Sequence, residues 1–323
     1  MTTVFAKGVD ISGNNTNVNY VALKTEGISY AIVKAGQFST KDQKFYPSYF
    51  GDGKTQAFPF HVKGLNDAGI TNIGAYVYAT ARNVNEAKME AEGALKVIGN
   101  TKLTYPVYYD MEYETNASIP NSTQAAILDT FCSVIKSAGF YPALYINPAW
   151  LEGHLKGTDA YNGKYDIWLA AWNDNPLNKS KYDGKYGQKM WQWGCYYYSG
   201  TKYYIAPTAI RSTGKIGAVN VPLIDGNVCY VDYPLIIGSN TTIKPLTTTN
   251  STLPSYIEYA VASDTYRIRK SPDTDASLST PIGLINKGTL YYRFKGVSVN
   301  NDNETWSSIC DKAGNFIGWS AVK

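Results

Sequence analysis

The residues best placed to do chemistry lie in Val107–Glu112, which reads VYYDME. On a β-strand, residues two apart face the same side, so Asp110 and Glu112 project together with Cα atoms about 6.5–7 Å apart. Their carboxyls then come within about 5–7 Å, near the separation that acid-assisted cleavage of glycosidic bonds uses. Two carboxylates so close cannot both ionise freely, so one is pushed toward its protonated form and can serve as a general acid. A hydrated strand end with two incidental acids is the bland reading of an isolated DxE. Asp10 weighs against it, because it also ends an apolar run, KGVDIS. Tyr76, Tyr78, Tyr109, Trp172, Trp191 and Trp193 fall at predicted strand ends too, where rings can wall a groove.

Other chemistries fare worse. No GxSxG is present, and only His61 and His154 are available as bases, both in helix-like stretches. Two scattered histidines cannot build a metal centre, so neither a metal nor a cofactor is expected. Gly53-Lys54-Thr55 resembles half a phosphate loop, but Ser48 stands where the leading glycine belongs and no strand precedes it. Cys132 sits on an apolar helix face, which suits a core position better than a nucleophile.

Placing these acids at one end of the fold requires strands, and the chain supplies them at intervals. KGVDIS (7–12), SYAIVKA (29–35), IGAYVYA (73–79), YPVYYDM (105–111), PALYI (142–146) and IWLAAW (167–172) read as buried strands. Between them, Asn83 and Glu86 form a helix-start pair, followed by apolar residues at Val84, Ala87, Ala91, Leu95 and Ile98. A second helix carries Ile127, Leu128, Phe131, Val134, Ile135 and Ala138 and stops at Gly139. This alternation predicts an α/β fold with a parallel sheet closed into a barrel, irregular in its last third, where the helical pattern fades. Barrel active sites form at strand C-terminal ends.

Residues 238–255, GSNTTIKPLTTTNSTLPS, read as a linker between a 1–237 domain and a 256–323 tail. Short strands with Gly and Asp turns make the tail a small all-β barrel. A net charge of +4 is too diffuse to argue for nucleic acid. No apolar run approaches the roughly 20 residues that span a bilayer, so no membrane insertion is expected. The start, MTTVFAKGVDIS, lacks the basic and apolar regions of a signal peptide. Synthesis in the cytoplasm is therefore the expectation. The four cysteines show no CxxC pair, and reduced thiols are the default; whether Cys195 and Cys229 meet is left open.

The first 237 residues resemble glycoside hydrolase family 25 lysozymes, the muramidase family common in phage endolysins and bacterial autolysins. The resemblance is carried by GVDIS, IVKAGQ, GAYVY, YYDMEY, GFYPALYIN, DIWLAAW and MWQWG, in that order. It implies an irregular (β/α) barrel that hydrolyses the β-1,4 bond from N-acetylmuramic acid to N-acetylglucosamine in bacterial peptidoglycan. It also implies Glu112 as general acid, Asp110 as the group that orients the N-acetyl or steadies developing charge, and Asp10 as the first-strand acid. Tyr78, Trp172, Trp191 and Gln192 would line the groove. With no signal peptide in the sequence, the resemblance further implies synthesis in a host bacterial cytoplasm and release to act on the wall. Two departures stand out. The strand-three motif lacks its usual histidine. Gapless alignment also puts Cys229 where a fourth acid belongs; a local shift brings in Asp232, slightly preferred, or Asp225, or the acid is absent. The alternative function is a non-catalytic peptidoglycan-binding protein with a degenerate barrel; retention of Asp10, Asp110 and Glu112 favours the enzyme. The tail resembles bacterial SH3-like wall-binding domains through YRIRKSPD, IGLINKGTL and WSSICDKAGNFIGWSAV. Tyr291, Tyr292 and Trp306 are candidates there for contacts to peptide cross-bridges, with core packing favoured for Trp306.

Overall fold

A computed structural model describes residues 4–172, 184–213, 215–216, 219–220 and 222–240, and in the tail 257–269, 281–287, 290–301, 304–310 and 316–321. The chain forms two compact units, Met1–Thr241 and Thr242–Lys323. Residues 241–255 of the expected linker and the Lys270–Asp273 end of YRIRKSPD lie outside the described residues.

In the first unit eight strands close a barrel: β1 (Ala6–Ile11), β2 (Tyr30–Ser39), β3 (Asn72–Tyr78), β4 (Val107–Asp110), β5 (Pro142–Ile146), β6 (Ile167–Ala170), β7 (Met190–Tyr198) and β8 (Leu223–Cys229). β1 to β7 pair in parallel in chain order. β8 then closes the ring antiparallel to both β7 and β1. That reversal is the irregularity the fading helical pattern foreshadowed.

Side-chain parity sorts two sets of residues. Val9, Val33, Ala75, Val77, Val107, Tyr109, Leu144 and Leu169 point outward into the main core, which they share with the helices α1 (Tyr20–Thr25), α2 (Ala57–Asp67), α3 (Val84–Ile98) and α4 (Asn121–Ser137). The capping pair holds: the Asn83 side chain accepts from the Glu86 amide at 3.0 Å, and Glu86 accepts from the Arg82 amide at 2.8 Å. Inward-facing Tyr30, Ile32, Tyr108, Ala143, Tyr145, Trp168, Met190 and Cys229 plug the barrel interior. Their rings interlock, with Tyr30 stacked on Tyr105 at 4.4 Å and Tyr145 edge-on to Trp168 at 4.4 Å. The helix α5 (Tyr233–Asn240) contributes Tyr233 to the same plug.

Cys132 packs in the main core and Cys229 in the plug. Cys132, Cys195 and Cys229 are buried free thiols. Cys195 pairs in register with Asp225, while Cys229 pairs with Met190, so the two do not meet. Gly53-Lys54-Thr55 is a surface turn fixed by Asp52, which accepts from the amides of Lys54 and Thr55. Among the described residues no helix is long and apolar enough to cross a membrane.

The second unit is a six-stranded antiparallel sheet of β9 (Ile257–Val261), β10 (Tyr266–Arg269), β11 (Pro281–Ile285), β12 (Leu290–Asn301), β13 (Glu304–Cys310) and β14 (Phe316–Ser320). Its order is β9-β12-β13-β14-β10-β11. Trp306 is buried, and Tyr291 packs in a small core with Ile268, Ile285 and Ile309.

One glycine governs how β8 meets β7. A Cβ on Gly226 would come within 2.3 Å of the buried Trp193 ring, beside the bulge where the two strands slip register. Gly226→Ala should therefore lower stability by about 1–3 kcal/mol through overpacking, read as a lower urea midpoint. An unchanged midpoint would show that the bulge has slack.

Candidate active site

Parity along β4 carries Tyr108 and Asp110 into the barrel and Tyr109 out of it. The strand ends at Asp110, one residue earlier than the sequence suggests. Glu112 continues the alternation just past the strand, half-buried at the mouth, whereas Asp110 is buried. Asp10 comes from the end of β1, and the fourth acid is Asp225, its direct register partner across β8.

This corrects the expectation for the last strand. In a strand that runs antiparallel to the rest, the end at the active mouth is the N-terminal one, so Asp225 arrives there and residues after it descend. Cys229 sits in the interior plug, its thiol pushed up to about 12 by burial. Asp232 lies beyond the far end and accepts from the Leu235 amide at 3.0 Å at the start of α5; it is a helix cap.

An amide network ties the acids together. Asn227 donates from Nδ2 to Asp10 Oδ2 at 2.7 Å and accepts from Trp168 Nε1 at 2.8 Å. Gln192 donates from Nε2 to Asp10 Oδ2 at 3.1 Å and to Asp225 Oδ2 at 3.3 Å. Its Oε1 accepts from Tyr145 at 3.0 Å and from Trp172 Nε1 at 2.9 Å. The chemistry of the neighbours fixes this orientation, because a flipped amide would face carboxylates with its oxygen and two donors with its nitrogen.

Lys34, inward-facing on β2, is the cation of the site. Its Nζ lies 4.9 Å from the centre of the Tyr78 ring and 3.1 Å from Gln37 Oε1. Burial lowers its affinity for a proton, and the charges of Asp110 and Glu112 oppose that. The acids are all displaced upward. Burial raises Asp10 to about 6 against the hydrogen bonds of Asn227 and Gln192. Burial and then the Glu112 charge raise Asp110 well above the usual range, and burial and then Asp10 do the same to Asp225. Burial also raises Glu112, with Lys34 opposing. Asp110 Oδ1 has no hydrogen-bond partner among the described residues.

Beside the acids, Lys34 and Tyr78 line a groove of about 570 Å³ together with Ser12, Tyr46, Tyr49 and Tyr113. Its wall includes a short strand, Lys44–Pro47, that pairs with the projecting end of β2; sequence reading missed this hairpin.

Of the other expected groove residues, Trp172 stands at the rim, half exposed, bonded to Gln192. Trp191 does not line the groove. It alternates with Gln192, so its ring packs outside the barrel with Trp193 and Val228, and its Nε1 donates to the Ala171 carbonyl at 2.7 Å. Tyr109 likewise faces outward. Lys34 and Asn227 were missed, although a signal existed for both: each is a polar residue at an inward parity position of its strand, Lys34 in step with Tyr30 and Ile32 and Asn227 in step with Cys229. His61 is a packing residue, bonded to Tyr20 at 2.8 Å and the Ser12 carbonyl at 2.9 Å.

Clustered carboxylates with raised proton affinity at the open end of a (β/α) barrel, beside a polar, tyrosine-lined groove, define a glycoside hydrolase site. The family model "Glycosyl hydrolases family 25" matches residues 9–200, and the chain belongs to that family. The fold is shared with a family 25 glycosyl hydrolase from Bacillus anthracis, at 19% identity over 74% of this chain and 94% of that one, with a TM-score of 0.52. It is shared equally with a bacterial lysozyme from Streptomyces coelicolor, at 17% identity over 74% and 97%, also with a TM-score of 0.52. The modular autolysin LytC from Streptococcus pneumoniae is 22% identical over 69% of this chain, with a TM-score of 0.49; the present chain spans about half of it, 46%. No curated protein matches the chain.

The upward shift of Asp10 has a stability consequence. An aspartate that titrates near 3.9 when unfolded and about 6 when folded holds more protons in the native state between those values. Stability therefore falls as pH rises through that window, and the penalty is complete above it. In Asp10→Asn the side-chain oxygen still accepts from Asn227 and Gln192, while the charge is gone. The variant should melt higher than wild type at pH 7.5, and the difference should vanish near pH 4. An equal difference at both pH values would mean that burial of the charge is not its origin.

Proposed function

We propose that the barrel cleaves the β-1,4 bond between N-acetylmuramic acid and N-acetylglucosamine in bacterial peptidoglycan. The observation that carries this reading is the convergence of Asp10, Asp110, Glu112 and Asp225 at one mouth, in a member of family 25.

Glu112 is the general acid. It is less enclosed than Asp110, its proton affinity is raised by burial, and its charge acts on Tyr78 of the groove wall. Asp110, with an unpartnered buried oxygen, orients the substrate's N-acetyl group. Asp10 is held by two amide donors that favour its anion, and with Asp225 it steadies positive charge as it develops at the sugar ring. Tyr78 and Trp172 flank the sugar, and Gln192 sets the spacing of Asp10 and Asp225. Lys34 limits the repulsion among the acids.

Glu112→Gln keeps the volume and removes the proton. Release of reducing ends on N-acetylmuramic acid from purified peptidoglycan should fall about 10²- to 10⁴-fold, with melting unchanged. Retention of a tenth of the rate would remove Glu112 from the role. Reducing ends on N-acetylglucosamine would make the enzyme a glucosaminidase. Binding to wall without any release of ends would instead support the non-catalytic reading.

The tail, in this proposal, is an SH3-like wall-binding module that delivers a phage-type endolysin to its substrate. Its support is the motif resemblance and a separate antiparallel sheet with its own core. Removing residues 242–323 should weaken sedimentation with intact walls by at least tenfold while changing the rate on soluble glycan fragments less than threefold. Unchanged sedimentation would take the targeting role from the tail.

A further inference from the structure

A second glutamate lies outside the site, on the helix packed behind it. Glu90, in α3, is fully buried. Its Oε1 accepts from the amides of Thr80 at 2.8 Å and Ala81 at 3.0 Å, and its Oε2 accepts from the Tyr109 hydroxyl. Burial pushes its carboxyl up to about 7, with the Tyr109 and Thr80 hydrogen bonds opposing. A glutamate here is costly relative to an apolar side chain, so its place calls for a reason.

The network supplies one. Tyr109 immediately precedes Asp110. From the other side, Ala81, whose amide Glu90 holds, accepts through its carbonyl from Asn116 Nδ2 at 3.0 Å. Asn116 closes the segment that follows Glu112 and is itself held through its carbonyl by Gln124 Nε2 at 2.7 Å. Tyr109 and Asn116 are thus both tied to Glu90, one directly and one through Ala81, and Glu112 lies between them. Glu112 makes no side-chain hydrogen bond among the described residues, so its position is set by the backbone that carries it. Behind it, Tyr109, Ala81 and Asn116 line the same cavity as Glu112, of only about 10 Å³, close to the minimum for one water. Thr80 extends the tie to β2, donating to the Phe38 carbonyl at 2.6 Å.

We propose that Glu90 is a positioning residue: it clamps the Tyr109–Asn116 segment at both ends and thereby sets Glu112 against the scissile bond. The catalytic consequence rests on the hydrolase reading above; the clamp itself does not. Displacing a reacting group by about 1 Å can cost on the order of 100-fold in rate, so a back-side tie of this kind acts on kcat with little effect on KM.

The experiment compares Glu90→Met, Glu90→Gln and Tyr109→Phe in the full chain. Steady-state kinetics on soluble peptidoglycan fragments are read beside amide exchange at Met111 and Asn116, whose amides donate to Tyr145 and Tyr113 at 3.0 and 2.8 Å. Glu90→Met should lower kcat about 10- to 100-fold with KM within threefold, and should speed exchange at those amides at least tenfold while β5 stays protected. Glu90→Gln keeps an oxygen for the Thr80 and Ala81 amides and should restore kcat to within about threefold of wild type. Wild-type kcat in Glu90→Met, or unchanged exchange at Met111 and Asn116, overturns the clamp. Should Glu90→Met loosen the whole barrel evenly, Tyr109→Phe, which removes one tie only, decides: selective exchange at Met111 supports the clamp and none overturns it. If the wild-type protein releases no reducing ends, the hydrolase reading fails and the exchange data still judge the clamp.

Discussion

Among the described residues, Asp10, Asp110, Glu112 and Asp225 share the mouth of this barrel with the Lys34 ammonium, and like-charge repulsion in a poorly solvated space is the constraint on the rest of the site. In bulk water two such charges 4 Å apart repel by about 1 kcal/mol, and a partly buried setting multiplies that several-fold. The protein accommodates the cluster by letting it retain protons, by placing Lys34 among the acids, and by directing amide N–H groups of Gln192 and Asn227 at the one aspartate that ties the two halves together. Acid-assisted glycoside cleavage needs a protonated carboxyl and an ionised one at the same place and pH.

Holding charges that repel demands a rigid frame, and the plug beneath the site supplies it. Tyr108, Tyr145 and Trp168 fill the barrel by ring-on-ring contact. Tyr145 and Trp168 also turn their polar edges upward, donating to Gln192 and Asn227. The aromatic core and the polar site are therefore one structure, with tyrosine and tryptophan joining an apolar body to a hydrogen-bonding rim. The outer face shows the same economy. Tyr109 stacks on Phe131 at 4.1 Å while its hydroxyl reaches Glu90, so the strand bearing Asp110 is fixed from both sides. The abundance of tyrosine serves this framework more than the groove, where Tyr46, Tyr49, Tyr78 and Tyr113 are the exposed or half-exposed members.

Much was legible in the sequence because it depends on short-range periodicity. Alternation along KGVDIS and VYYDME put Asp10, Asp110 and Glu112 at strand ends facing inward, helix spacing marked α3 and α4, and the Asn83–Glu86 pair marked a helix start. The same parity rule would have found Lys34 and Asn227, and it separates Gln192 from Trp191, whose aromatic character suggested a groove role that its outward parity denies.

Strand direction decided the rest, and no local pattern encodes it. Whether β8 runs with or against its neighbours depends on how the ring closes, a contact between the first and last strands more than 200 residues apart. That closure selects Asp225 and sends Cys229 into the plug and Asp232 to a helix cap. The clamp at Glu90 is of the same kind, since residues of α3, of β4 and of the segments that follow β3 and β4 become one hydrogen-bonded unit only when the barrel assembles. The sequence by itself determined which faces carry acids and which carry the core, because neighbouring residues alternate by geometry alone. The tertiary structure decided which acids meet and what holds them, because those distances are set by chain closure.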